Sequence, residues 1–216
     1  SGGSIGLGFP IPIDRARRVT EDLLAHGKVR RPWIGVKTEL PLQGASSREA
    51  LNSGAVVRQV VPGSPAAAAG IRVGDVLVKS RDRTIRNAYD WEAELLELRF
   101  GDDVPLVVRR SGREFQASVK IADLPEMNAP RVAVLKEIEL VTLTPAIRAE
   151  RNIVRAQGAL VLNVSARVSD DLGIQAGDVI VQVNNSPVAD APQAARTLEY
   201  FIGRGPIRMF FERSGR

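Results

Sequence analysis

The chain has 216 residues, a formal net charge of +5, 44% hydrophobic residues, only 5% aromatic residues and no cysteine. That length accommodates two domains of about 100 residues each, and the lack of cysteine excludes disulfides, thiol catalysis and thiolate metal sites. No run of about 18 apolar residues occurs, so no membrane-spanning helix is expected. The arginines are interleaved with acids, which reads as a solvated basic surface rather than a nucleic-acid face.

The opening, residues 1–13, is glycine-rich and alternates Ile5, Leu7 and Phe9 with small residues, as an extended segment does. It has neither the basic head nor the apolar core of a secretory leader. Asp14 is placed to cap a helix over residues 15–26, with Ala16, Val19, Leu23 and His26 on one face and Gly27 as its stop. Trp33–Val36 reads as a strand. Residues 37–52 form a long connection with a short helix near Ser46 and Ser47. Gly54–Val61 is β-branched and bounded by Pro62-Gly63, a buried-strand signature. Ser64-Pro65 fits an N-cap followed by Pro at the first helical position, Ala66–Ala69 a one-turn helix, and Gly70 its left-handed cap. Gly74-Asp75 turns into a strand ending at Ser80. Asn87 caps a helix through Leu98 with Ala88, Trp91, Leu95 and Leu98 as its core stripe. Val104–Arg110 and Glu114–Ile121 form a hairpin about Ser111-Gly112.

Much of this is written twice. Gly74-Asp75 recurs as Gly177-Asp178, 103 residues on, and Arg110-Ser-Gly-Arg113 recurs as Arg213-Ser-Gly-Arg216 at the same offset. A period this long is a domain rather than a solenoid repeat. After a Pro-containing linker from Asp123 to Pro130, the second copy begins near Arg131, and its helix over residues 191–201 matches the Asn87 helix. The chain ends at the second hairpin turn without a counterpart of Glu114–Ile121. A fragment of a longer protein is therefore expected, with Ile207–Glu212 left as an edge that Ile5–Phe9 could cap.

Strand, capped Ala helix, Gly-Asp turn and strand, in this order and twice, resemble the centre of a bacterial PDZ domain. The opening, from Gly3-Ser-Ile-Gly-Leu-Gly-Phe to Trp33-Ile-Gly-Val36, resembles the junction between protease and first PDZ domain in the HtrA/Deg family of serine proteases. Pro10 departs from the Ala usual there. The resemblance implies a mixed α/β (α+β) fold. Its parts are a protease strand and linker helix over residues 1–30, one PDZ domain over 31–124, and a second over 131–216 lacking its final strand. Each domain would be a small, partly open β-barrel capped by two helices.

The resemblance also implies a peptide site. Trp33, Ile34, Gly35 and Val36 match the loop that receives a C-terminal carboxylate, with Gly letting the backbone curl close to it. Leu95 and Leu96 would line the pocket for the last side chain, and Glu92 would touch the peptide further up. In the second copy the aligned loop is Glu137-Ile138-Glu139-Leu140. This alignment puts Glu139 in place of Gly35, so a closed or repurposed groove is expected.

The expected role is recognition of C-termini or unfolded segments of misfolded proteins for a trypsin-like endopeptidase of the bacterial periplasm or envelope. The alternative is a stand-alone PDZ scaffold. No cofactor, metal or nucleic acid is called for. The missing protease domain is the implied partner, and the parent could form homo-oligomers. Ser1-Gly2-Gly3 imitates a nucleophile motif, but in the family that motif lies upstream, and His26 has no triad around it. The basic run Arg15, Arg17, Arg18, Lys28, Arg30 and Arg31 is offset by Asp14, Glu21 and Asp22, as on a solvated helix.

Overall fold

The computed structural model describes residues 13–26, 29–39 and 53–213. Ser1, Ile5–Phe9 and the connection around Ser46 lie outside the described residues. The structure divides into two units, residues 1–31 and 32–216.

In the first unit α1 (Ile13–His26) forms where a helix is expected, with Asp14 inside its first turn rather than capping it from outside. Arg17 pairs with Glu21 one turn on, and Arg30 folds back onto Asp22 at 3.1 Å. These are the offsetting pairs read from the sequence. Leu23, on the intended apolar face, is 49% exposed.

The second unit opens with β1 (Val36–Thr38) and β2 (Ala55–Val60), followed by α2 (Pro65–Ala68). Next come β3 (Val76–Ser80), β4 (Arg83–Thr84), α3 (Ala88–Leu95), and the hairpin of β5 (Asp103–Arg110) and β6 (Arg113–Lys120). The sheet order is β1-β2-β3-β5-β6, with β4 beside β3, and all pairs are antiparallel. The caps fall where the residues dictate: the Ser64 hydroxyl accepts from Ala67 N–H, and the Asn87 side chain accepts from Asp90 N–H. Trp91, Leu77, Leu106 and Val108 fill the core, closed by Ile121.

A short helix, α4 (Pro125–Asn128), interrupts the linker. The second sheet is built from β7 (Arg131–Val134), β8 (Ile138–Thr142), β9 (Ala159–Val164), β10 (Val179–Val183), β11 (Ser186–Pro187) and β12 (Met209–Glu212). Its helices are α5 (Pro145–Arg151), α6 (Ala166–Leu172) and α7 (Ala191–Phe201). The order is β11-β10-β9-β8-β7, with β12 on β10. From β8 onward this repeats the first copy: β8 stands as β1, α6 as α2, α7 as α3 and β12 as β5. Among the described residues β7 has no counterpart in the first copy, where the chain before β1 instead bridges Trp33 to Ala122. No described strand pairs with the outer edge of β12, and its proposed cap falls on residues that are not described.

Each copy contains the same buried ion pair. Asp75 and Asp178 are both 1% exposed. Arg110 grips Asp75 through two bonds of 2.7 Å, and Arg213 grips Asp178 likewise. Each carboxylate also accepts a backbone N–H at 2.8 Å, from Arg72 or Gln175. Each guanidinium donates onward to a helix-end carbonyl, Gly70 or Gly173. Burial pushes both carboxyls up, but these hydrogen bonds and the arginine charge outweigh it and hold both below the usual 3.8. The bidentate geometry is what lets a buried pair offset its desolvation.

Because the folded pKa is depressed, the pairs stabilise the fold fully above the ordinary Asp value. That contribution disappears as pH falls through the lower folded value. Asp75→Asn should therefore cost about 3 kcal/mol near neutral pH, the low end for a broken buried pair because Arg110 is partly exposed. Denaturant melts at stepped pH check this: the gap between wild type and variant should be full near neutral pH and narrow as pH falls below the ordinary Asp value.

Candidate functional site

The α3 helix is fixed by a residue that sequence reasoning missed. Glu94 is 1% exposed and accepts from Ser80 Oγ at 3.0 Å, Arg81 Nη2 at 2.8 Å and Arg83 Nη1 at 3.1 Å. Burial raises its carboxyl, yet the bonds from Arg81 and Ser80 prevail and hold it low. The signal available was the Arg81-Asp-Arg83 turn opposite an acid on the inner helix face. With that face tied down, α3 presents Glu92, Leu95 and Leu96 differently. Leu95 is half-buried against the core, whereas Leu96, the C-cap, is 53% exposed. Glu92 is exposed along its side, and the protein mass around its carboxyl pushes its pKa up.

The candidate loop leads into β1, and its Ile34 shares the core cluster with Trp91 and Leu95 of α3. Trp33 exchanges two backbone hydrogen bonds with Ala122. Ile34 is 2% exposed, and its carbonyl accepts from Ala66 N–H at 2.9 Å. Gly35 has φ +79°, and its carbonyl accepts from Val61 N–H at 2.8 Å. A Cβ added there would lie 2.2 Å from the Ser64 Cβ, so only glycine fits. Of the four expected strand residues only Val36 joins β1, opposite Val60. Trp33, Ile34 and Gly35 instead form a loop fastened through its carbonyls. Among the described residues the N–H groups of Ile34 and Gly35 meet no acceptor. Two adjacent N–H groups without protein partners, beside an edge strand, can take up an anion.

The outward side of this strand carries a contact that the sequence did not disclose. Lys37 Nζ donates to the Ala149 and Glu150 carbonyls at 3.1 and 2.5 Å, at the C-terminal end of α5, and to Asn152 Oδ1 at 3.1 Å. Gln59, opposite Lys37 in the sheet, donates to the same Ala149 carbonyl at 2.9 Å. Trp33 Nε1 donates to the Glu150 carboxylate at 2.9 Å. An ammonium at a helix C-terminus meets both unpaired carbonyls and the negative end of the dipole.

In the second copy the sequence alignment needs correcting by two residues. Ile138 pairs with Val164 as Val36 pairs with Val60, and the Glu137 carbonyl accepts from Ser165 N–H as Gly35 accepts from Val61. Glu137, not Glu139, therefore stands in the place of Gly35. Glu139 lies on β8 and pairs with Arg131. The Glu137 carboxylate binds Arg167 and accepts from Ser165 Oγ at 2.9 Å, and these two partners hold its pKa down. His26 ends α1, and Ser1 is outside the described residues.

Residues 32–121 match the PDZ domain family. A probable periplasmic serine endoprotease, DegP-like, of Pseudomonas savastanoi pv. phaseolicola is 28% identical over all of this chain and 47% of its own length. A DegP-like protein of Brucella suis is 32% identical over 88% of this chain and 38% of its own. The periplasmic serine endoprotease DegP of Escherichia coli K12 is 27% identical over 92% of this chain and 41% of its own. The chain thus spans less than half the length of these relatives. Among solved structures, the serine endoprotease from Yersinia pestis is 30% identical over 54% of this chain and 38% of its own, with a TM-score of 0.41. The HtrA-type protease AlgW with a decapeptide is 30% identical over 57% and 39%, with a TM-score of 0.43. Residues 32–121 thus match a PDZ domain, and the chain is similar over most or all of its length to proteins named DegP-like periplasmic serine endoproteases.

Proposed function

We propose that this chain is the peptide-recognition region of a periplasmic HtrA-type serine endoprotease. Its domains are residues 31–124 and 131–216. The first captures C-termini or unfolded segments of misfolded proteins for a protease domain elsewhere in the parent. The observation that carries this reading is the Gly35 loop, with two adjacent N–H groups that meet no acceptor among the described residues, beside β1 at the end of its sheet. A peptide carboxylate would accept from that loop, its backbone would extend along β1, and its last side chain would lie against Leu95 and Leu96. Trp33, Ile34 and Val36 shape the loop, and Glu92 meets the peptide further from its terminus. The relatives are named periplasmic serine endoproteases, which supports both the compartment and a proteolytic parent over a stand-alone scaffold. The chain itself binds and does not hydrolyse.

A fluorescent peptide with a free, apolar C-terminus should bind with Kd between about 1 µM and 1 mM, or about −8 to −4 kcal/mol. Its C-terminal amide should bind at least tenfold more weakly. Equal affinities in fluorescence polarisation would sink the carboxylate reading. Gly35→Ala should abolish this binding and lower stability by about 1–3 kcal/mol, because the new methyl strains a left-handed residue against Ser64. Thermal denaturation of the variant beside wild type measures the second effect.

On the catalytic side, a fluorophosphonate serine label should leave the chain unmodified and casein should survive incubation with it. Labelling lost in Ser1→Ala would reverse that reading.

A further inference from the structure

In the first copy β1 stands at the edge of its sheet, and no described strand lies between it and α3. In the second copy the equivalent strand, β8, is not an edge. β7 pairs antiparallel with it, Val134 opposite Ile138 and Val132 opposite Leu140. The same β7 packs against α7. It occupies the space between edge strand and helix where an extended peptide would add.

Two features match a bound peptide rather than an ordinary extra strand. Val134 is 1% exposed in one cluster with Ala194, Ala195 and Leu198 of α7, Val132 packs on the same cluster, and Arg131 and Ala133 face out. Alternate side chains entering a groove is the pattern of strand addition. The Val134 carbonyl then accepts from Glu137 N–H at 3.0 Å. Glu137 holds the place of Gly35, so this carbonyl sits where a terminal carboxylate oxygen would accept. The anionic position beside the loop is filled as well, by the Glu137 side chain on Ser165 and Arg167.

The turn joining β7 to β8 is poorly chosen for holding it there. Leu135 and Lys136 have φ 51° and 59°, both left-handed. They are the two central positions of the turn closed by the Glu137 N–H on the Val134 carbonyl, where two successive left-handed residues favour Asn and Gly and side chains such as Leu are strained. Packing of the two valines, not turn chemistry, keeps β7 seated.

We propose that β7 is a resident intramolecular ligand of the second copy's groove. The second copy takes an external peptide, extended and with aliphatic residues at alternate positions, only when β7 leaves. This rests on reading the first groove as a peptide site. The probe is the synthetic hexapeptide Ala-Pro-Arg-Val-Ala-Val with a free carboxylate, titrated into the full isotopically labelled chain and followed by amide chemical shifts. In wild type no shift is expected at Leu140 or along α7. In Val132→Ser/Val134→Ser, affinity at those positions should rise at least tenfold. Equal binding there in both proteins, or no gain in a folded variant, overturns the proposal.

Should that variant fail to fold, hydrogen exchange on the wild-type chain decides. Amides of residues 131–134 bonded to β8 should exchange at least a hundredfold slower than coil, and slower still in Leu135→Asn/Lys136→Gly. Coil-rate exchange in wild type refutes a seated β7. Failure of the first-groove reading shows separately, as an absence of peptide shifts at Val36 and Leu96.

Discussion

The pairing of Asp75 with Arg110 is the constraint on which the first copy depends. It ties the turn before β3 to the end of β5 and, through the Gly70 carbonyl, to the end of α2. The N-terminal end of α2 in turn holds the candidate loop, since Ala66 N–H donates to the Ile34 carbonyl and Ser64 packs where a Gly35 side chain would be. A buried carboxylate in the Gly-Asp turn thus fixes, in two steps, the loop proposed to read a peptide terminus. Losing the arginine would leave the aspartate charged and buried, which is why the pair is kept even if its net contribution is modest. The second copy repeats the arrangement through Asp178 and Arg213.

That pair was half legible. The Gly-Asp and Arg-Ser-Gly-Arg motifs recur at one shared offset, which signals that each acid keeps its own arginine, but not that the two touch. Caps and turns were read well because their chemistry is local: Ser64, Asn87 and the helix Ala191–Phe201 all stand where the residues put them. The register of the second loop was read two residues out. A slip of two leaves every side chain on the same face of a strand, so the hydrophobic pattern cannot detect it. β7 was invisible for a related reason. Four residues, Arg-Val-Ala-Val, followed by Leu-Lys in place of Asn-Gly, give neither strand length nor hairpin signal. The contacts of α5 are tertiary, and nothing local to Lys37 or Gln59 predicts them.

Those contacts bear on the site because β1 serves both sides. Its outward side chain, Lys37, is held by the carbonyls ending α5, while its open edge is the one a peptide would extend. A lysine at a helix C-terminus contributes about 0.3–1 kcal/mol, and exposed hydrogen bonds add little to that. Such a contact orients the strand without locking it, and the Trp33–Glu150 bond reaches the loop itself.

The two copies therefore share a scaffold and differ at one mouth. In the first, a glycine with φ +79° has an N–H that meets no acceptor among the described residues. In the second, glutamate stands there and its N–H is taken by Val134. A glutamate side chain could not replace Gly35 in the first copy, because Ser64 fills the space. In the second copy the corresponding backbone is reshaped by the Leu135-Lys136 turn, and the glutamate carboxylate reaches Ser165 and Arg167 instead. The strained turn and the substituted glycine are thus one change rather than two. Once the chain enters through β7, the loop no longer needs the conformation that demanded glycine.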